Sequence, residues 1–155
     1  MDRIKWDDYF LELCEAVSQR ATCNRGKASC IIVKDKQILA TGYVGSPSGL
    51  PHCDEVGHLM RKSADETGKM TEHCVRTMHA EQNALIQCAK TGVSCEGATM
   101  YCKMFPCRIC AMMIITANIT KVISQKDYRR SNESKDMFQK VGIIFEIKDS
   151  TVMKY

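Results

Sequence analysis

The chain has 155 residues, 45% of them hydrophobic and 26% charged, with a formal net charge of +4. That length fits one domain, which buries roughly 68–70% of its unfolded surface and so holds a core without disulfides. The charge is too small to argue for a nucleic-acid partner and suits a small anionic ligand at least as well. No stretch reaches the roughly 18–20 apolar residues of a membrane span. Residues 1–10 carry Asp2, Arg3, Lys5, Asp7 and Asp8 where a secretory leader has an apolar core. The expected location is the cytoplasm, where the ten cysteines point to metal binding or burial rather than disulfides.

Residues 6–20 are expected to form an amphipathic helix with Phe10, Leu13, Cys14 and Val17 on one face. Runs 30–33 and 37–44 read as strands joined by the polar turn Lys34-Asp35-Lys36, a hairpin. Residues 45–57, rich in Gly, Ser and Pro, read as a loop, and residues 61–72 as a polar surface excursion. A helix is expected from His79 to Lys90, stopped by Thr91-Gly92, then a strand over 98–102. A third helix over 107–117 is entered through Pro106, and a strand follows over 121–124. Ser131 caps a helix ending near Val141-Gly142, and residues 143–147 read as a final strand. After the hairpin, strands and helices alternate. This predicts an α/β fold of three layers: a mixed five-stranded sheet with helices on both faces, in one domain over residues 1–155.

His79-Ala80-Glu81 and Pro106-Cys107-Arg108-Ile109-Cys110 carry the chemistry. Cys107 and Cys110 stand three apart at a helix start, so both sulfurs face one point. The helix dipole and the free N–H groups there favour thiolate. One His and two Cys give zinc three ligands and leave the fourth tetrahedral position for water, the mark of a catalytic site. Zinc lowers the pKa of that water toward about 7. Glu81, two residues past the ligand His79, is placed to move protons as general base and acid. A lone C-x-x-C reads equally well as half of a structural zinc site. H-A-E upstream, with Pro directly before the first Cys, completes the H-x-E and P-C-x-x-C signature of zinc deaminases.

The run His73-Cys74-Val75-Arg76-Thr77-Met78-His79-Ala80-Glu81, the segment Thr41-Gly42-Tyr43-Val44-Gly45-Ser46-Pro47, and Asp127-Tyr128-Arg129 together resemble the deoxycytidylate deaminases. The likeness covers about residues 23–145. It implies the cytidine-deaminase-like fold and conversion of dCMP to dUMP and ammonia by hydrolytic attack at C4 of the base. In that family Glu81 would protonate N3 and help expel ammonia, and the Ala80 backbone would contact the base carbonyl. Arg25, Tyr128 and Arg129 fall at positions resembling the phosphate-side residues, and Arg grips phosphate with two parallel hydrogen bonds. Ser46 either donates to phosphate or sugar or simply forms a turn. Homo-oligomers, hexamers or dimers, are implied, with dCTP as activator and dTTP as inhibitor.

Two positions depart from the family pattern. Val44 stands where the family has an Asn expected to bind the sugar. Lys103 stands where it has Thr, four residues before Cys107, and is expected to add a cation beside the site. A lost sugar contact and a gained cation suggest a shifted ligand: dCTP alongside dCMP, with Mg2+ accompanying a triphosphate, or a modified cytosine nucleotide.

Members of the family often carry a structural zinc. The preferred set here is Cys23, Cys53, His58 and Cys74, with His73 as substitute, pinning the segment 45–72 to the core. The alternative is that these are buried thiols and ordinary surface histidines. Cys14 and Cys88 lie on apolar helix faces, where burial accounts for them. Two competing functions remain. A deaminase of bases within RNA or DNA is disfavoured by 6% aromatics and low charge. A non-catalytic zinc-stapled module is disfavoured by Glu81.

Overall fold

The computed structural model describes residues 1–153. Helix α1 (Trp6–Ser18) leads into a hairpin of β1 (Ser29–Lys34) and β2 (Gln37–Tyr43), with Asp35 and Lys36 both left-handed at the turn. A short helix α2 (Cys53–Val56) and a second hairpin, β3 (Met60–Ala64) with β4 (Met70–Cys74), follow. Then come α3 (Ala80–Thr91), β5 (Thr99–Met104), α4 (Arg108–Thr116), β6 (Lys121–Tyr128), α5 (Asn132–Val141) and β7 (Ile144–Met153). Five strands form one sheet in the order β2-β1-β5-β6-β7. β1 pairs antiparallel with β2 and β5, while β5, β6 and β7 run parallel. This is the mixed sheet with helices on both faces that alternation along the chain predicts.

Side chains alternate across the sheet with period two, which sorts the core into two parts. Ile31, Val33, Tyr101 and Ile123 face α1, meeting Phe10, Leu11 and Cys14. Cys30, Ile32, Met100, Cys102 and Val122 face the other way, against Ala84 and Leu85 of α3, Ala111 and Ile114 of α4 and Phe138 of α5. Phe105 packs edge-on against Phe138 and Phe145, with ring centroids 5.8 and 5.3 Å apart.

Several elements differ from expectation, among them β5, which runs on to Met104. The loop after β2 contains α2, whose N-terminus is held by the Glu55 carboxylate accepting from His52 N–H at 2.8 Å. The excursion over 61–72 is the β3–β4 hairpin: most of its residues are polar, so it has no apolar stripe to announce it. β6 and β7 both run past their expected ends, because a register shift between Lys126 and Asp127 lets Asp127 and Tyr128 pair with Val152 and Met153.

Close approach of β2 to α3 depends on Gly42. A Cβ there would sit on the Ala80 carbonyl oxygen and 2.6 Å from the Ala84 nitrogen, both backbone atoms. Gly42→Ala is therefore expected to cost about 1–3 kcal/mol of stability through overpacking. It should also displace the first turn of α3. Thermal melts combined with activity assays should show both losses together; a variant of wild-type stability and activity would contradict the packing described.

Candidate active site

The site lies beyond the carboxyl ends of β5 and β6, where ligands of open α/β sheets commonly bind. β5 ends at Met104, and Phe105-Pro106 carry the chain off the sheet edge. Cys107 is then the N-cap of α4, with extended dihedrals (φ −73°, ψ 170°), and Cys110 lies within the first turn. His79 is likewise the N-cap of α3 (φ −70°, ψ 156°). Both N-caps stand one residue outside the helix proper, which frees their side chains to turn toward each other. The Gln82 side chain accepts from His79 N–H at 2.8 Å. Met78 and Gly45 exchange backbone hydrogen bonds at 3.0 and 3.3 Å, and Asn83 Nδ2 donates to the Tyr43 carbonyl at 2.8 Å. The entry to α3 is thus tied to the exit of β2.

These constraints bring three ligand atoms together. His79 Nδ1 lies 3.4 Å from Cys107 Sγ and 3.4 Å from Cys110 Sγ. All three atoms fall within 4.8 Å of one another, a spacing fit for one metal ion. The Glu81 carboxylate approaches from below, with Oε2 3.7 Å from Cys110 Sγ. Burial raises the Glu81 pKa, since its side chain is 7% exposed. The hydrogen bond to Cys110, joined by the one to His79, outweighs burial and leaves the Cys107 thiol lowered to about 4. The hydrogen bond to Cys107, aided by the Cys107 and Glu81 charges, outweighs burial and leaves His79 raised to about 9. Without a metal, Cys107 is thus thiolate beside a protonated His79, while the hydrogen bond to Cys107 and burial keep Cys110 a thiol. The donor set fits zinc: two soft sulfurs and one imidazole nitrogen at two helix N-termini.

Of the residues expected around the ligand, Arg25, Val44 and Tyr128 line the same pocket as His79, Glu81 and Cys107. Ala80 is buried at the start of α3, and its carbonyl accepts from Cys30 Sγ at 3.4 Å. Arg129 follows Tyr128, and its charge reaches His73. Ser46 Oγ is buried without a hydrogen-bond partner among the described residues. Lys103 does not belong to the site. It sits on the same side of β5 as Tyr101, and its Nζ pairs with Glu15 Oε1 at 3.0 Å and contacts Ser18 Oγ at 3.3 Å, both on α1. The strand runs on to Met104, so alternation turns residue 103 away from the pocket.

A second cluster gathers Cys23, Cys53, His58 and Cys74, again with ligand atoms within 4.8 Å of one another. Cys53 Sγ lies 3.5 Å from Cys74 Sγ, and Cys23 Sγ 3.7 Å from His58 Nδ1. His58 Nε2 meets Asn24 Oδ1 at 3.0 Å, which leaves Nδ1 as the free lone pair facing the sulfurs. Burial pushes Cys53 up to about 12. Burial also raises Cys74, but backbone hydrogen bonds from Arg76 and Leu59 outweigh it and leave that thiol at about 7.

His73 is not the substitute ligand. It lines the active-site pocket, where burial, then the charges of Arg130, Arg129 and Arg25, lower its pKa. Sequence reading missed this role. The available signal was alternation along 70–74, which puts Thr71 and His73 on one face.

The segment carrying Tyr128 and Arg129 is anchored by Asp127. Its Oδ1 accepts from Tyr128 N–H at 2.7 Å and Ser131 Oγ at 2.6 Å, and its Oδ2 from Lys135 Nζ at 2.7 Å. Burial raises the Asp127 pKa, but these donors outweigh it and leave the carboxyl below its usual value of 3.8. The ionised form thus stabilises the fold above that value, and the stabilisation is lost as pH falls through the depressed folded value. Asp127→Asn should cost about 1–3 kcal/mol at neutral pH. The difference from wild type should shrink on acidification. Denaturant melts across pH check this, and a pH-independent difference would contradict it.

The sequence from residue 4 to residue 126 matches the family model described as the cytidine and deoxycytidylate deaminase zinc-binding region. "ComE operon protein 2" of Bacillus subtilis is 38% identical over 146 residues, covering 94% of this chain and 72% of that protein. Deoxycytidylate deaminase of Schizosaccharomyces pombe is 31% identical over 141 residues, covering 91% of this chain but only 43% of that protein. Among solved structures, dCMP deaminase from the cyanophage S-TIM5 in complex with dCMP and dUMP superposes with a TM-score of 0.75. It is 30% identical, and the match covers 97% of this chain and 100% of that one.

Proposed function

Because the chain belongs to the cytidine and deoxycytidylate deaminase family, a family of hydrolytic deaminases, we propose that its substrate is dCMP and its products dUMP and ammonia. The observation that carries this reading is the meeting of His79, Cys107 and Cys110 around one point, with the buried Glu81 carboxylate beside it. His79 Nδ1, Cys107 Sγ and Cys110 Sγ would hold a zinc ion, which supplies Lewis acidity toward the attacking water. Glu81 takes a proton from the water as its oxygen bonds to C4, and delivers it to N3 of the base. The remaining proton on that oxygen passes through Glu81 to the amino group, and the C4–N bond breaks to release ammonia as the C4 carbonyl forms. Its buried setting excludes solvent and suits a carboxyl that must both take and give protons. The Ala80 backbone would hold the base carbonyl.

Arg25, Tyr128 and Arg129 would meet the phosphate, with Ser46 Oγ as a further donor to phosphate or sugar. Lys103, engaged with Glu15, adds no cation for extra phosphates. Val44 stays in the pocket as the departure bearing on the sugar, and with it dCTP, attended by Mg2+, or a modified cytosine nucleotide as a second substrate. The exposed apolar residues Val93, Ile109 and Met112, at a groove between α3 and α4, support assembly into a dimer or hexamer. Family likeness supports dCTP and dTTP as effectors, a single catalytic domain and a cytoplasmic location. No helix among the described residues is long and apolar enough to cross a membrane.

Cys23, Cys53, His58 and Cys74 would hold a second, structural zinc. Four protein donors leave no open position, unlike the three at the active site. Metal analysis should return two zinc ions per chain; one would defeat the second site.

Glu81→Gln should lower kcat on dCMP by roughly 10²- to 10⁴-fold while leaving zinc content and dUMP binding intact. Wild type assayed in parallel on dCMP, dCTP, CMP and deoxycytidine should prefer dCMP. Unchanged turnover in the variant, or a strong preference for the unphosphorylated nucleoside, would overturn the reading.

A further inference from the structure

The β3–β4 hairpin has no part in the deamination chemistry, yet it forms one wall of the pocket. Along β4, Met70 and Glu72 are exposed, while Thr71 and His73 turn inward. His73 lines the pocket, and its Nε2 lies 2.9 Å from Thr71 Oγ1. Arg130, in the connection between β6 and α5, reaches across to this pair. Its Nη2 donates to Thr71 Oγ1 and, at 3.4 Å, to the Ser63 carbonyl. Ser63 and Thr71 are register partners in the hairpin, so one guanidinium grips both strands at the same rung. Glu66, in the hairpin turn, adds a second tie by accepting from Glu133 N–H at 3.3 Å in the first turn of α5.

Arg130 also directly follows Tyr128 and Arg129, whose segment Asp127 anchors from the other end. Arg130 therefore joins two walls of the pocket: the one carrying Tyr128 and the one carrying His73. Glu81 is the sole carboxylate among that pocket's described lining residues and lies at the metal end. Arg25 and His73 line the same pocket, and the charges of Arg130, Arg129 and Arg25 reach His73. A lining reached by three arginine charges suits an anion, and in dCMP the anion is the 5′-phosphate.

We infer that Arg130 is a positioning residue for the phosphate end of the substrate, acting through Thr71 on His73 and along the chain on Tyr128 and Arg129. The inference rests on dCMP as substrate. Nothing in it requires Arg130 to touch the nucleotide: its Nη2 is engaged on the hairpin, and its effect is to keep the opposed walls at a fixed separation. Pre-organised polar walls bind without the cost of ordering them, so loosening this tie weakens phosphate binding and leaves the reacting end unchanged.

The test uses full-length, zinc-loaded Arg130→Ala, Arg130→Lys and Thr71→Val, assayed on dCMP and on deoxycytidine, which lacks the phosphate. For Arg130→Ala and Thr71→Val, KM for dCMP should rise roughly tenfold, the scale of one charge-assisted hydrogen bond. The kcat for dCMP, the zinc content and the kcat/KM for deoxycytidine should stay near wild type. Arg130→Lys, which keeps a cationic donor, should recover part of the loss. Parallel losses on both substrates, or an unchanged KM for dCMP in both variants, would overturn the inference. Should Arg130→Ala fail to fold, Thr71→Val, which keeps the side-chain shape and removes the shared hydroxyl, decides on the KM-against-kcat split. Wild type active on dCMP with unaffected variants defeats the inference alone. Wild type that neither turns over nor binds dCMP defeats the deaminase reading, and this inference with it.

Discussion

Two helix N-termini meet at one sheet edge, and the site is built on that meeting. His79 caps α3 and Cys107 caps α4, each with extended backbone that turns its side chain off the helix axis. Convergence requires β2 to lie hard against α3, which the bare Cα of Gly42 permits. It also requires β5 to deliver Cys107 at the right height, which the buried Phe105-Pro106 step provides. Electrostatics follow from the same geometry. Partial positive charge at both helix starts favours thiolate, and the apolar packing beneath keeps the Glu81 carboxyl out of water.

The sheet then divides labour. One face carries α1 and its aromatic packing, the other the three helices that build the reacting end. Lys103 shows how strictly that division holds. One strand position from Cys102 and Met104, it belongs to the α1 face and spends its charge on Glu15. The polar end of the pocket has a different construction. It depends on short tethers among loops and a small hairpin rather than on core packing.

The candidate metal and proton-transfer residues were legible because the chemistry proposed for them demands fixed spacings close in sequence. H-A-E and P-C-R-I-C each lie within one helix start, and alternation of strands and helices was enough to bring the two starts together. Cys23, Cys53, His58 and Cys74 were legible through family likeness, and they do gather. What failed depended on where strands end and which way they face. Ending β5 at Cys102 hid the side on which Lys103 falls, and polar composition hid the β3–β4 hairpin. That hairpin has little apolar surface, so it is held by Arg130, Glu66 and the Cys74 cluster, contacts distant in sequence. For the same reason His73 read as a spare ligand, although its neighbour Cys74 joins the sulfur cluster while His73 Nε2 meets Thr71 Oγ1.

The most direct measurement is anomalous scattering at the zinc absorption edge from crystals of the purified protein. The expected result is a peak at bonding distance, about 2.0–2.3 Å, from His79 Nδ1, Cys107 Sγ and Cys110 Sγ. The Glu81 carboxylate should stand outside that distance and a fourth position should be open to solvent. A site without a peak, or one closed by Glu81 as a fourth ligand, would contradict the catalytic assignment.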